Sequence, residues 1–279
     1  MIEINHLTYC YNSSRRKALD NVTVSIGPGI HLLLGANGAG KTTLLRLIAG
    51  WLKAKPATAV EIDGIPTAKR EPSITGETFM LTDDTQFPMP TINSMVKYHA
   101  PFFPNFSIDT LDACMKAFGI SPAQPIDTYS LGNRKKAMLA YALSLHTDVL
   151  LLDEPTNGLD IPSRQTILEL MAQFCGPEQT VIVSTHTVMD LRNLFESVIM
   201  LSGSQLLLST SIYDIEQRVA FVASAEPIPG AIYTRPSLGR IEAIVPVEMA
   251  GHPSQIDYSL LFNALQSPSR QALLEILKS

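Results

Sequence analysis

Ile30-His31-Leu32-Leu33-Leu34-Gly35-Ala36-Asn37-Gly38-Ala39-Gly40-Lys41-Thr42-Thr43-Leu44-Leu45-Arg46-Leu47-Ile48-Ala49-Gly50 is the stretch on which the fold turns. Its first five residues have the apolar pattern of a short buried strand, and a glycine-rich turn breaks it. From Thr42 to Ala49 apolar residues recur at helical spacing until Gly50 stops them. Within this strand-loop-helix context, Gly35-Ala36-Asn37-Gly38-Ala39-Gly40-Lys41-Thr42 matches the P-loop pattern in full. Glycines let backbone N–H groups turn inward on phosphate oxygens, and the helix that follows offers the positive end of its dipole. Lys41 is then placed for the β- and γ-phosphates, the Thr42 hydroxyl for Mg²⁺, and Thr43 for a further phosphate contact. A P-loop alone does not separate kinases, GTPases and transport ATPases.

Outward from that stretch, residues 1 to about 30 read as β structure. Ile2 and Ile4 alternate with polar residues, as do Val22, Val24 and Ile26, which predicts an antiparallel layer. Further on come a near-continuous apolar strand Val149 to Leu152, a helical stretch Ser163 to Phe174, a strand Val181 to Val183 and a helix from about Val188 to Phe195. Strands alternating with helices predict a mostly parallel sheet. Residues 84 to 145 carry helical patterns instead, the clearest running from Ser107 as N-cap through Leu111, Met115 and Phe118 to Gly119 as stop. They read as an inserted helical subdomain. From about 204 the chain turns β-like again, at Leu206 to Leu208, Ala220 to Ala223 and Ile241 to Val247. A helix Gln271 to Leu277, opened by Ser267 and Pro268, ends it.

Composition bounds the function classes. The 279 residues are 46% hydrophobic and 17% charged, an ordinary balance for a packed core. With a net charge of -5 and no dense basic run, no nucleic-acid partner is expected. Cys10, Cys114 and Cys175 are odd in number and scattered, so neither a disulfide framework nor a zinc cluster is predicted, and a reducing cytosol fits best. The N-terminus has no secretory pattern, and no run of about 18 apolar residues could span a bilayer. A membrane role would have to come through a partner.

Asp153 and Glu154 close the strand Val149 to Leu152, at the edge where open α/β sheets bind ligands. Asp153 suits a hydrated Mg²⁺ and Glu154 suits polarisation of an attacking water; a plain acidic loop start is the bland alternative. Pro155-Thr156-Asn157-Gly158-Leu159-Asp160 follows, and Ser184-Thr185-His186 ends the next strand. On these motifs, residues 1 to about 205 resemble the ATP-binding subunits of ABC transporters. The resemblance implies an α/β fold, a P-loop NTPase ABC cassette with a mostly parallel core sheet, N-terminal antiparallel β layer and inserted helical subdomain. A small C-terminal α+β extension, residues 206–279, would follow the cassette at 1–205. It also implies ATP and Mg²⁺ as ligands and ATP hydrolysis as activity. Glu154, His186 and Lys41 would be catalytic. Tyr11, Gly35, Ala36, Asn37, Gly38, Ala39, Gly40, Lys41, Thr42 and Thr43 would bind ATP, and Thr42 and Asp153 would hold the metal. Asp160 would be the intersubunit residue of the D-loop, and His186 the switch histidine.

Tyr129-Ser130-Leu131-Gly132-Asn133 resembles the signature motif usually written Leu-Ser-Gly-Gly-Gln; Ser130 and Gly132 are kept, whereas Leu131 and Asn133 depart. In isolation it equally reads as a loop capping a helix Lys135 to Leu145. Tyr11 falls where the family places an adenine-stacking aromatic, with Tyr9 as competitor. The family's glutamine loop is the weakest match: Asp83 holds the expected position, as a further candidate metal ligand, and Gln86 is the substitute. Arg134, Lys135 and Lys136 read either as phosphate-steering or as a solvated face.

In this family ATP lies between the P-loop of one subunit and the signature motif of another, so a single cassette implies a homodimer or heterodimer of ATPase subunits. An integral membrane permease as separate partner and a cytoplasmic, peripheral place on the inner membrane face are implied as well. Pro101-Phe102-Phe103-Pro104-Asn105-Phe106, together with the unusual signature, is similar to the bacterial export branch, including antibiotic-associated and regulator-linked transport. Asp257 to Phe262 resembles the tail of export-type subunits, and equally reads as an amphipathic helix packing on its own domain. Two rivals stand beside the transporter reading: a soluble ABC-type ATPase acting on ribosomes or DNA, and a non-catalytic nucleotide sensor.

Overall fold

The computed structural model describes residues 1–12, 16–84, 87–186 and 194–278. Strands β1 (Ile2–Cys10) and β2 (Lys17–Ile26) pair antiparallel, with Ile2 opposite Ile26 and Ile4 opposite Val24. Their alternate residues Ile2, Ile4, Val22, Val24 and Ile26 are buried, as a half-buried strand's period of two requires. Strand β3 (Gly29–Leu34) leads through the glycine loop into helix α1 (Lys41–Ile48). The short strands β4 (Val60–Ile62) and β5 (Ile65–Pro66) complete a four-stranded layer in the order β2-β1-β4-β5.

A one-turn helix α2 (Pro72–Thr75) precedes strand β6 (Thr78–Leu81). Then come the helices α3 (Ile92–Tyr98), α4 (Ile108–Phe118) and α5 (Leu131–Ser144), with no strand among the described residues between them. Thr91, Ser107 and Ser130 cap the three, each side-chain oxygen accepting a backbone N–H three residues on. Gly119 stops α4 in the left-handed conformation, at φ 65°. Strand β7 (Val149–Asp153), helix α6 (Ile161–Phe174), strand β8 (Thr180–Thr185) and strands β9 (Ser197–Ser202) and β10 (Gln205–Ser211) finish the central sheet. Its order is β10-β9-β3-β8-β7-β6; all neighbours are parallel except the β9–β10 hairpin.

Two cores lie on the two faces of this sheet. Leu33, Val149, Leu151, Ile182, Ile199 and Leu201 face α1 and the antiparallel layer. Their sequence neighbours Leu32, Leu34, Leu150, Leu152, Val181, Val183, Val198 and Met200 face the helices α4, α5 and α6. Strands sandwiched in this way are apolar at every position, which is why Val149 to Leu152 reads as an unbroken run.

The remainder comprises α7 (Ile212–Arg218), β11 (Val219–Ser224), β12 (Tyr233–Ser237), β13 (Arg240–Pro246), the single turn α8 (Val247–Ala250), α9 (Tyr258–Leu265) and α10 (Arg270–Lys278). The strands form their own antiparallel sheet, β11-β13-β12. The expected division at 205/206 falls at the β9–β10 hairpin, and β10 remains a strand of the central sheet, paired with β9 from Gln205 to Ser211. The separate sheet therefore starts only after α7. Asp257 caps α9, whose Tyr258, Leu260, Leu261, Ala264 and Leu265 are buried in the larger core, so the segment packs on its own chain. Residues 187–193, where most of the helix expected from Val188 to Phe195 lies, are outside the described residues, as is Gln86.

Candidate active site

Parallel register brings the ends of four strands to one edge. Leu34 lies opposite Thr185, Asp153 opposite Ser184, and Leu81 opposite Leu152. The P-loop, Asp153-Glu154, His186 and Asp83 each follow one of these strand ends, which is how segments far apart in sequence meet. In the loop, Gly38 and Gly40 have φ of 79° and 107°. A Cβ at Gly40 would fall 2.5 Å from the Ala18 carbonyl oxygen, so only glycine lets the loop run this close to β2.

Lys41 is buried at 6% exposure. Its Nζ donates to the Gly35 carbonyl at 2.7 Å and lies 3.4 Å from Glu154 Oε1. The Thr42 hydroxyl donates to Asp153 Oδ2 at 2.7 Å. Thr43 Oγ1 sits 3.1 Å from the Tyr11 hydroxyl. A cleft of about 380 Å³ opens over the loop, lined by Tyr11, Lys17, Ala18, Asn37, Lys41 and Glu154 among others. Tyr9 is not in that lining; it meets Tyr11 edge-on, with ring centroids 5.2 Å apart. The structure thus places Tyr11, of the two tyrosines, at the cleft.

Asp153 is also buried, its second oxygen accepting the Ser184 hydroxyl. Glu154 takes a left-handed backbone, φ 51°, rare outside glycine and frequent where function over-determines geometry. Its backbone N–H donates to the Ser184 carbonyl at 3.0 Å. Glu154 Oε1 is 2.9 Å from His186 Nδ1, and Oε2 accepts the His186 backbone N–H at 3.3 Å. A carboxylate held between an ammonium and an imidazole, at the mouth of the loop, is positioned to take a proton from water. Thr42 and Asp153 supply the hard oxygen donors that Mg²⁺ selects, already within hydrogen-bond reach of each other, so the residues fit that ion. Ser184, which bonds the Asp153 carboxylate and the Glu154 backbone N–H, is not singled out by sequence pattern. Its only signal is its place beside Thr185 and His186 at a strand end.

The remaining candidates do not enter this cleft. Ser130 is exposed and caps α5, its hydroxyl accepting the Asn133 N–H at 3.2 Å. Gly132 and Asn133 follow in the first turn, and Leu131 is 70% exposed. The helix therefore begins at Leu131, four residues before the expected Lys135. Asp160 caps α6 on the surface, and the Ser163 hydrogen bonds hold its carboxyl below the usual aspartate value. Asp83 has partners other than a metal: Lys135 Nζ donates to one of its oxygens and Asn157 Nδ2 to the other at 3.2 Å. No helix among the described residues is long and apolar enough to cross a membrane.

A parallel sheet with a complete P-loop, a buried aspartate on the P-loop threonine and a glutamate paired to a histidine defines a P-loop ATPase. The family model described as ABC transporter matches residues 19–157. The chain belongs to that family and is an ATP-binding subunit with ATPase activity. It is 29% identical over 212 residues to the ABC transporter ATP-binding protein NatA of Bacillus subtilis, covering 72% of this chain and 86% of that one. Against YtrB of the same organism it is 26% identical over 219 residues, 78% of this chain and 73% of the relative. The lantibiotic transport ATP-binding protein SrtF of Streptococcus pyogenes is 24% identical over 226 residues, 75% and 90% of the two chains. Among solved structures, a putative cobalt transport ATP-binding protein aligns with a TM-score of 0.65 at 21% identity, covering 98% of this chain and 99% of that one. A dimeric bacterial ABC transporter cassette aligns with a TM-score of 0.65 at 22% identity, over 76% and 99%. At these identities the structures establish the fold.

Proposed function

We propose that this chain drives export through a separate membrane-spanning partner, by hydrolysing ATP between two subunits. The observation that carries the hydrolytic part is the Lys41–Glu154–His186 constellation beside the Thr42–Asp153 pair. Lys41 leaves the Gly35 carbonyl for the β- and γ-phosphates, and the loop N–H groups cradle them. Tyr11 stacks on the base. Mg²⁺, held by Thr42 and Asp153, neutralises phosphate charge when bound. Glu154 accepts the proton of the attacking water while His186 holds the carboxylate in place.

Ser130, Gly132, Asn133 and Asp160 act across the dimer. Their place outside the cleft of their own chain, with Ser130 and Asp160 exposed and Gly132 and Asn133 half-buried, supports that role, because an accessible helix N-terminus is free to meet a partner's phosphates. The solved dimeric cassette supports the assembly. The name of the lantibiotic transport relative supports export. Docking of the membrane partner is supported by exposed aromatic side chains in and near the helical subdomain. Tyr98 is 55% and Phe102 74% exposed, and Trp51, at 50%, lines a recess with Thr75 and Thr78. The units are a cassette at 1–205 and an extension at 206–279, with β10 bridging them through the central sheet.

Affinity capture of the tagged chain from detergent extracts of its native cells tests the membrane role. A multi-span integral membrane protein is expected to co-purify; ribosomes in its place would overturn it in favour of the soluble reading.

A further inference from the structure

Lys135, Asp83 and Asn157 close a triangle of hydrogen bonds outside the phosphate-loop cleft. Lys135 Nζ donates to Asp83 Oδ1 and, at 2.8 Å, to the Asn157 carbonyl, while Asn157 Nδ2 donates to Asp83 Oδ2 at 3.2 Å. Each corner belongs to a different part of the cassette. Asp83 follows the edge strand β6, Asn157 lies in the turn after β7, and Lys135 projects from the start of α5. Of the three consecutive cations, only Lys135 reaches this point. Lys136 lies over the Phe118 ring at 6.0 Å, and Arg134 Nε is buried without a partner. The Lys135 side chain is sheltered at 17% exposure, which raises the value of its pairing over that of an open surface ion pair.

The turn that Lys135 grips carries Glu154. Asn157 N–H donates to the Glu154 carbonyl at 3.1 Å, and the turn closes with Leu159 N–H on the Thr156 carbonyl at 3.2 Å. Gly158 brings its backbone close to the ammonium: a Cβ there would lie 3.9 Å from Lys135 Nζ. Two residues beyond Asn157, the Leu159 side chain packs 3.5 Å from where a Gly132 Cβ would stand. Shifting Lys135 therefore moves the turn, and with it the backbone that sets the left-handed conformation of Glu154.

We propose that Lys135 is a positioning residue for hydrolysis: through Asp83 and the Asn157 carbonyl it fixes the Glu154 turn against the first turn of α5. Its ammonium bonds Asp83 and the Asn157 carbonyl, so it acts through the turn. Misplacement of a catalytic group by about 1 Å costs up to about 100-fold in rate, so a lost tether shows in kcat more than in KM. This rests on the reading of Glu154 as the residue that activates water.

The test is steady-state ATP hydrolysis by the purified full chain, with Glu154→Gln measured alongside. Lys135→Met is expected to lower kcat about tenfold with KM for ATP within about twofold, and Lys135→Arg to recover most of it. Asp83→Asn is expected to lower kcat in the same direction, and the double variant to be no worse than Lys135→Met, as a shared tether requires. Should Lys135→Met not fold, Asp83→Asn and Lys135→Arg carry the test. Wild-type kcat in Lys135→Met or Asp83→Asn, additive losses, or a loss confined to KM would overturn the proposal. If Glu154→Gln hydrolyses as fast as wild type, the underlying reading of Glu154 fails with it; if only the Lys135 and Asp83 variants match wild type, the tether alone fails.

Discussion

At the scale of single residues, the site is built from groups whose geometry leaves little freedom. Gly40 combines a φ of 107° with a carbonyl 2.5 Å from any Cβ it could carry. For an L-residue the left-handed region costs about 1–2 kcal/mol, before any clash. Gly40→Ala is therefore expected to distort the loop and weaken ATP binding at least about tenfold by titration calorimetry, a factor worth about 1.4 kcal/mol. Unchanged affinity would contradict the loop assignment. Most of these residues were legible because the P-loop and the Asp-Glu-Pro run are dense, ordered motifs. Ser184 was not, since one serine at a strand end carries no pattern, and the partners of Asp83 come from positions 52 and 74 residues away.

At the scale of elements, half-buried polar contacts tie the helical subdomain together. His99 caps α3 and places Nδ1 2.8 Å from the Tyr141 hydroxyl of α5, and His146 Nε2 sits 2.9 Å from Thr110 Oγ1 of α4. Burial lowers both histidines from the ordinary 6.5, as it does His31 on β3 between Gly27 and Ser197. Below 6.5 the unfolded chain binds these protons more readily than the folded one. The stability present above 6.5 is accordingly lost as pH falls through the folded values. The melting temperature is expected to drop between about pH 7.5 and pH 5.5, with a shallower drop in His146→Gln. An unchanged or steeper drop in His146→Gln would contradict this account.

Elements were unevenly legible for physical reasons. Ser107 and Gly119 bound α4 as capping chemistry predicts, and the two-faced burial of β3, β7 and β8 makes continuous apolar runs. Strand β6 has only four residues, and β12 contains Pro236, so neither has an alternation long enough to see. Helix α5 starts four residues before the expected Lys135 because Ser130 caps it directly, so Leu131, Gly132 and Asn133 form its first turn and not a preceding loop.

At the scale of the whole molecule, the central sheet gathers the P-loop, Asp153 and Glu154 at one edge, while Ser130 to Asn133 lie outside that cleft at the start of α5. Two copies facing each other would bring Ser130 to Asn133 of one to the cleft of the other, and hydrolysis would release the contact, converting chemical free energy into a rigid-body switch. Pattern in one chain cannot reveal contacts made between chains; this part is implied only by resemblance. The most direct measurement is size-exclusion chromatography of Glu154→Gln with ATP and Mg²⁺, beside its hydrolysis rate. The account predicts an ATP-dependent dimer and a kcat lowered at least about 100-fold. A variant that stays monomeric with ATP and hydrolyses at the wild-type rate would contradict it.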